Sequence, residues 1–150
     1  VLELVNLRSS PITDLKEADK DGVAVGVLEG GINNSSNEHQ AKLMRSRCNY
    51  LVALGDCAVF GGVPAMRNFF TLEETLRRAY VETESTDSEG MIPSDPELAV
   101  MTRVRAVQEV VPVDLHVPGC PPDADVIFYV LAELAQGRVP ELKGDKLHWH

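Results

Sequence analysis

Short apolar runs alternate with longer stretches of helical spacing along the chain. Residues 1–7 read as a strand, broken by Ser9-Ser10-Pro11. Residues 23–28 are continuously apolar, which predicts a strand covered on both faces, and the run ends in Glu29-Gly30-Gly31. A helix follows: Ser35 and Glu38 have capping-box spacing, and Ala41, Met44 and Cys48 fall on one face. A second buried strand is predicted over 50–54.

Residues 55–68 read as a loop. Thr71 and Glu74 then form another capping box, opening a helix with Leu72, Leu76, Ala79 and Tyr80 on one face. Residues 82–95 are acidic and rich in Ser and Thr, an exposed connection. Ser94 and Glu97, with Pro96 in the first turn, predict a third helix ending before Pro112. A strand over 113–117 precedes a last helix from about Pro122 to Gln136. Its predicted buried stripe is Ile127, Leu131, Leu134 and Ala135, and Gly137 with Pro140 stops it. Strands alternating with helices predict an α/β, doubly wound parallel sheet.

Charge and composition narrow the function classes. The 150 residues carry a net charge of −9 without a Lys/Arg cluster, which argues against nucleic acid as a partner, since that surface needs a basic patch. No apolar run reaches the roughly 18 residues that suggest a membrane span. A hydrophobic content of 44% suits one globular domain. Residues 1–150 are therefore read as a single domain, with 138–150 as a peripheral tail. Three cysteines make no paired disulfide framework and point to a reducing compartment and metal or catalytic chemistry. The strand-like opening at Val1 predicts that the chain begins inside a longer protein.

Two of those cysteines occupy short loops, Gly55-Asp56-Cys57-Ala58-Val59-Phe60-Gly61-Gly62 and Pro118-Gly119-Cys120-Pro121-Pro122. Each loop follows a predicted strand, and ligands of open α/β sheets gather at the carboxyl ends of strands. Gly119 lets the backbone come close to whatever lies beside the Cys120 thiol. Pro121 and Pro122 cannot donate N–H bonds, and the following helix turns its positive end toward the loop. Rigid surroundings with few donors are one way to set a redox potential. Asp56 either bonds loop N–H groups or faces a partner.

From spacing alone, Cys57 and Cys120 are equally well read as ligands or as small buried hydrophobes. Neither loop is a Cys-x-x-Cys pair, and two thiols fall short of the roughly four ligands of a 4Fe–4S cluster. Cys48, on a helix face with Ala41 and Met44, reads as core. Glu29 is either a carboxyl able to pass protons near the site or a loop residue satisfying backbone N–H groups. His39, His116, His148 and His150 show no ligand spacing. Phosphate-loop, dinucleotide and nucleophile-elbow motifs are absent. A flavin at the same sheet edge is the generic alternative.

Several stretches together resemble the small subunit of nickel–iron hydrogenases, in particular the cytoplasmic, NAD-reducing type. They are Leu28-Glu29-Gly30-Gly31, Leu54-Gly55-Asp56-Cys57-Ala58-Val59, Val63-Pro64-Ala65-Met66-Arg67-Asn68, Arg103-Val104-Arg105, Glu109-Val110-Val111-Pro112-Val113-Asp114 and Leu115-His116-Val117-Pro118-Gly119-Cys120-Pro121-Pro122-Asp123-Ala124-Asp125. The resemblance covers most of residues 23–137. Single motifs are shared with the homologous iron–sulfur subunit of respiratory complex I.

The resemblance implies a flavodoxin-like fold whose first strand and helix lie upstream of Val1. It implies one 4Fe–4S cluster held by four cysteines: Cys57, Cys120 and two more upstream of Val1. Cys48 matches no family ligand. It also implies a nickel–iron centre on a separate large subunit, and FMN and NAD on diaphorase subunits that receive the electrons. Glu29, in the family's acidic turn, is a candidate for the proton route. Residues 63–68 are expected to touch the large subunit, while Phe69 and Phe70 fit either that contact or packing on their own sheet. The extension that carries two further clusters in membrane-linked and periplasmic enzymes is not seen, which points to a cytoplasmic location. Three alternatives stand beside this reading: a sulfur- or deazaflavin-linked hydrogenase, toward which Phe60-Gly61-Gly62 leans, the complex I subunit, and a cofactor-free scaffold module.

Overall fold

The computed structural model describes residues 5–10, 20–87 and 89–147. Strand β1, Val23–Glu29, is followed by the short strand β2, Ile32–Asn34, and helix α1, Ser35–Arg47. Strand β3, Cys48–Leu54, leads into the short helix α2, Asp56–Phe60. A 3-10 segment, Val63–Phe69, and helix α3, Leu72–Tyr80, come next. After a stretch of turns and extended chain come β4, Met101–Arg105, β5, Leu115–Val117, and α4, Ala124–Ala135.

The strands β1, β3 and β5 form a parallel sheet in the order β1-β3-β5. Alternation along β3 builds two cores. Leu51 and Ala53 pack into one with Ala41 of α1, Ala58 and Val59 of α2, and Val107 and Val111. Val52 packs into the other with Val117 and with Val126, Val130 and Leu134 of α4. Burying a Val or Leu side chain fully contributes about 1.5–3 kcal/mol, so β3, apolar on both faces, takes the centre. Helices on both faces of a parallel sheet make the flavodoxin-like arrangement expected from the sequence.

Asp114 sets how β5 lies against β3. Its N–H donates to the Leu51 carbonyl at 2.9 Å, and its carboxylate accepts the Leu51 N–H at 2.7 Å. The Arg45 guanidinium holds that carboxylate from α1 and also donates to the carbonyls of Cys48 and Asn49. Beyond α4, Arg138 pairs with Glu133, Leu142 packs against the second core, and Lys146 sits 3.2 Å above the Tyr129 ring.

Several expectations need correction. The third helix does not form. Asp95 instead closes a single turn, with its side chain accepting the Glu97 N–H and its carbonyl accepting the Leu98 N–H. The chain then enters β4, which pairs antiparallel with β2. Ser35 does not cap α1, because Val100 occupies it: the Ser35 N–H donates to the Val100 carbonyl at 2.9 Å, and its hydroxyl accepts the Val100 N–H at 3.0 Å. Asn34 caps the helix in its place, accepting the Asn37 N–H at 2.8 Å. Glu38 turns outward to Lys42 and Arg105.

Cys48 begins β3 rather than ending a helix face, although it is buried in the core as expected. Of the stripe expected on α4 only Leu134 is buried, joined by Val126 and Val130, since this helix carries apolar side chains nearly all round. Strand β1 is not covered on both faces: among the described residues it pairs only with β3, and Ala24 and Val27 are exposed. Of the strand read over 1–7, residues 1–4 lie outside the described residues, and 5–7 carry no strand. The capping box of Thr71 and Glu74 forms as expected. The apolar face of α3 buries no residue within this chain.

Candidate functional site

The register of the parallel sheet aligns Glu29 with Leu54, and Leu54 with Val117. The turns after β1, β3 and β5 therefore leave one edge together. At this edge the two cysteine loops are joined by backbone bonds. The Gly55 N–H donates to the Val117 carbonyl at 2.7 Å, and the Asp56 N–H donates to the Gly119 carbonyl at 3.0 Å. In return, Oδ1 of Asp56 accepts the Gly119 N–H at 2.7 Å. Residues 56 and 119, each directly preceding a cysteine, thus bind one another in both directions.

Glycine is required where these loops meet. Gly119 has φ of +129°, and a Cβ there would stand 2.6 Å from Pro122 Cα. Gly62 has φ of +53°, and a Cβ there would lie 2.8 Å from Cys57 Sγ. A side chain at 62 would fill the space that keeps this sulfur accessible. The turn after Glu29 also closes on the site: a Cβ at Gly31 would stand 3.5 Å from the Cys57 carbonyl oxygen.

Cys57 is half-buried in α2, Cys120 is exposed, and both are free thiols. Glu29 is exposed at the same edge. Cys48 lies at the opposite end of β3, where burial pushes its thiol pKa up against the opposing effect of Arg45. It is therefore separated from the loops by the length of the strand. Among the described residues, no group of three or more His, Cys, Asp or Glu side chains is arranged to hold a metal ion. His148 and His150 lie outside the described residues. Two thiols on adjoining loops, with Gly62 leaving room at the Cys57 sulfur, suit half of a four-thiolate set.

Directly after α2, the 3-10 segment Val63–Phe69 is fastened to β4. Asn68 donates from Nδ2 to the Val104 carbonyl at 2.8 Å and accepts the Val104 N–H on Oδ1 at 2.9 Å. Arg67 donates to the Thr102 carbonyl. The polar residues face inward, and Val63, Met66, Phe69 and Phe70 are left exposed, Phe69 by 85%. Sequence reasoning misses this fastening, because it depends on β4, a stretch whose local signals are those of a helix.

The family model described as the NADH ubiquinone oxidoreductase, 20 Kd subunit, matches residues 1–134. The chain belongs to this family. It is 40% identical over 141 residues to the NAD-reducing hydrogenase HoxS subunit delta of Cupriavidus necator, covering 92% of this chain and 67% of that protein. It is 36% identical over 149 residues to a subunit of the F420-non-reducing hydrogenase of Methanothermobacter marburgensis, covering 98% of this chain and 48% of that protein.

A crystal structure of an NAD+-reducing [NiFe]-hydrogenase in the H2-reduced state matches with a TM-score of 0.91 and 34% identity, over 99% of this chain and 83% of that one. The family member described here is thus homologous to a subunit of an oxidoreductase complex. It spans about two thirds of the first of these relatives and about half of the second. No described helix is long and apolar enough to cross a membrane.

Proposed function

We propose that this family member is an electron-relay subunit of a cytoplasmic nickel–iron hydrogenase and that Cys57 and Cys120 supply two thiolate ligands to one 4Fe–4S cluster. The observation that carries this reading is the two-way clamp between Asp56 and Gly119, which gives the two thiols a common sheet edge. The likeness to the HoxS delta subunit supports it. Two thiolates leave such a cluster short of its usual ligand number, so the remaining ligands come from outside these two loops.

When bound, the cluster accepts and gives up single electrons. The chain's own residues fix its position and surroundings: Gly62 leaves room at Cys57 Sγ, and Pro121 and Pro122 withhold N–H donors beside Cys120. In the complex this reading implies, a large subunit with a nickel–iron centre would supply the electrons, and diaphorase subunits carrying FMN and NAD would receive them. The exposed Val63, Met66, Phe69 and Phe70 follow directly after the Cys57 loop and form the surface that docks on the large subunit, as apolar and aromatic interface cores do. Glu29, exposed at the same edge, lies on the path by which protons leave.

The test is iron and acid-labile sulfide content of the anaerobically purified native complex, with electron paramagnetic resonance after reduction by hydrogen. A cluster signal lost in both Cys57→Ala and Cys120→Ala supports the relay. Iron and sulfide unchanged in both variants would overturn it in favour of a scaffold without a cofactor.

A further inference from the structure

Two aspartates hold the β3–β5 pair, one at each end, and their surroundings differ. At the amino end, Asp114 binds Leu51 in both directions, and the Arg45 guanidinium neutralises its charge. At the carboxyl end, Asp56 binds Gly119 in the same two-way manner. Among the described residues no cation pairs with the Asp56 carboxylate, which is half-buried in the turn that opens α2.

The clamp has mechanical consequences. Asp56 is bonded to Cys57 and Gly119 to Cys120, so each thiol is one residue from it. The residues that precede the two cysteines are held together by two hydrogen bonds of 3.0 and 2.7 Å. Gly55 and Gly119 take left-handed backbone conformations on either side, with φ of +84° and +129°. A Cβ at Gly55 would already stand 3.5 Å from the Gly119 carbonyl oxygen. The loops thus meet closely.

The clamp also has electrical consequences. The Gly119 N–H precedes Cys120 and would be a ready donor to a sulfur beside it. Donors to cluster sulfurs and nearby positive charge raise a reduction potential, while nearby negative charge lowers it. Asp56 withdraws this donor and places a carboxylate next to Cys57.

We infer that Asp56 is the positioning residue of the two-cysteine site: its clamp on Gly119 sets the separation of Cys57 and Cys120, and its carboxylate, paired with no cation among the described residues, holds down the potential of the group they carry. The inference rests on the relay reading for the identity of that group. The geometric part concerns the thiols alone.

The experiment compares Asp56→Asn and Asp56→Ala in the intact complex, reading iron and sulfide content and the midpoint of the signal that Cys120→Ala removes. Asparagine keeps an oxygen for the Gly119 N–H and loses the charge. Its iron content should match the wild type while the midpoint moves upward. Alanine removes the side-chain half of the clamp and leaves only the backbone bond from the residue 56 N–H to the Gly119 carbonyl, and iron content should fall by at least half. An unmoved midpoint in Asp56→Asn overturns the electrical role, and full iron content in Asp56→Ala overturns the mechanical one.

A second readout does not depend on the cluster. After iron is removed, a short bifunctional thiol reagent should bridge Cys57 to Cys120 several-fold more slowly in Asp56→Ala than in the wild type or Asp56→Asn. Equal bridging in all three chains overturns the clamp. Failure of the relay reading is recognised separately, by cluster content that survives loss of Cys57 and Cys120.

Discussion

The Asn68 side chain reads the backbone of Val104 as a neighbouring strand would, donating to its carbonyl and accepting its N–H. Val104 is buried, so Asn68→Ala would strand two backbone groups, at about 1–3 kcal/mol for an unsatisfied buried group. Asn68→Ala is expected to lower the melting temperature and to reduce recovery of the large subunit in pull-downs. Phe69→Asp, at a side chain 85% exposed, should reduce recovery without lowering the melt. Normal recovery with both variants would remove the 3-10 segment from the docking surface.

Gly62 gives a local test of the site. Alanine there meets Cys57 Sγ at 2.8 Å and Cys57 Cα at 2.9 Å. Iron content should drop severely, while circular dichroism remains that of a folded chain. Gly30→Ala is the control: it shares the positive φ, and nothing lies within 4 Å of its Cβ. It should bear only the backbone strain of about 1–2 kcal/mol. Equal iron loss in the two variants would mean that strain, not crowding of the sulfur, matters.

The third cysteine should behave as packing. Cys48 is buried against Ala41 and Met44, and burial raises its thiol pKa. Cys48→Ala is expected to leave iron and sulfide unchanged and to cost about 1 kcal/mol in denaturant unfolding, as removal of a small buried group does. In the iron-free chain, alkylation should reach the exposed Cys120 long before Cys48.

Acid should loosen α1. The Glu38 carboxyl is held down to about 2, first by Lys42 and then by Arg105. Burial pushes Asp114 upward, but the Leu51 N–H and the Arg45 guanidinium outweigh it and leave its pKa lowered. Both groups therefore bind protons more readily in the unfolded chain, and stability falls as pH drops. Their contribution is complete above the unfolded carboxylate range, about pH 4, and disappears as pH falls through the folded values. Thermal melts from neutral pH to about pH 2 should show this decline in the wild type, and a flatter profile in the Glu38→Gln/Asp114→Asn double variant. Parallel profiles would assign acid sensitivity to other groups.

Glu29 should affect turnover without affecting the cluster. Glu29→Gln keeps the side chain's size and removes its ability to carry a proton, so hydrogen oxidation is expected to slow while iron content and the resonance signal stay as in the wild type. Normal turnover would take Glu29 off the proton path.

The sequence by itself determined the strands that carry the two cysteine loops, the helices before β3, after residue 71 and after the second loop, and the family. It did not determine α2, whose residues read as loop, or the absence of a helix after Ser94. Continuous apolar runs at 23–28 and 50–54 specify strands without reference to anything distant, and glycine and proline mark where those strands must stop. The assignment of Cys48 to the core was also legible, since Ala41 and Met44 share its packing whether it ends a helix or begins a strand. Only the tertiary structure decided which partners the polar residues take. Ser35 read as the helix cap until Val100 claimed it, and residues 94–105 carried helix signals until β2 offered an edge to pair with. Asp56 had two open roles until β5 brought Gly119 within 2.7 Å. Apolar periodicity repeats within a few residues and is written locally. A hydrogen bond between residues 56 and 119 depends on a fold that must first bring them together.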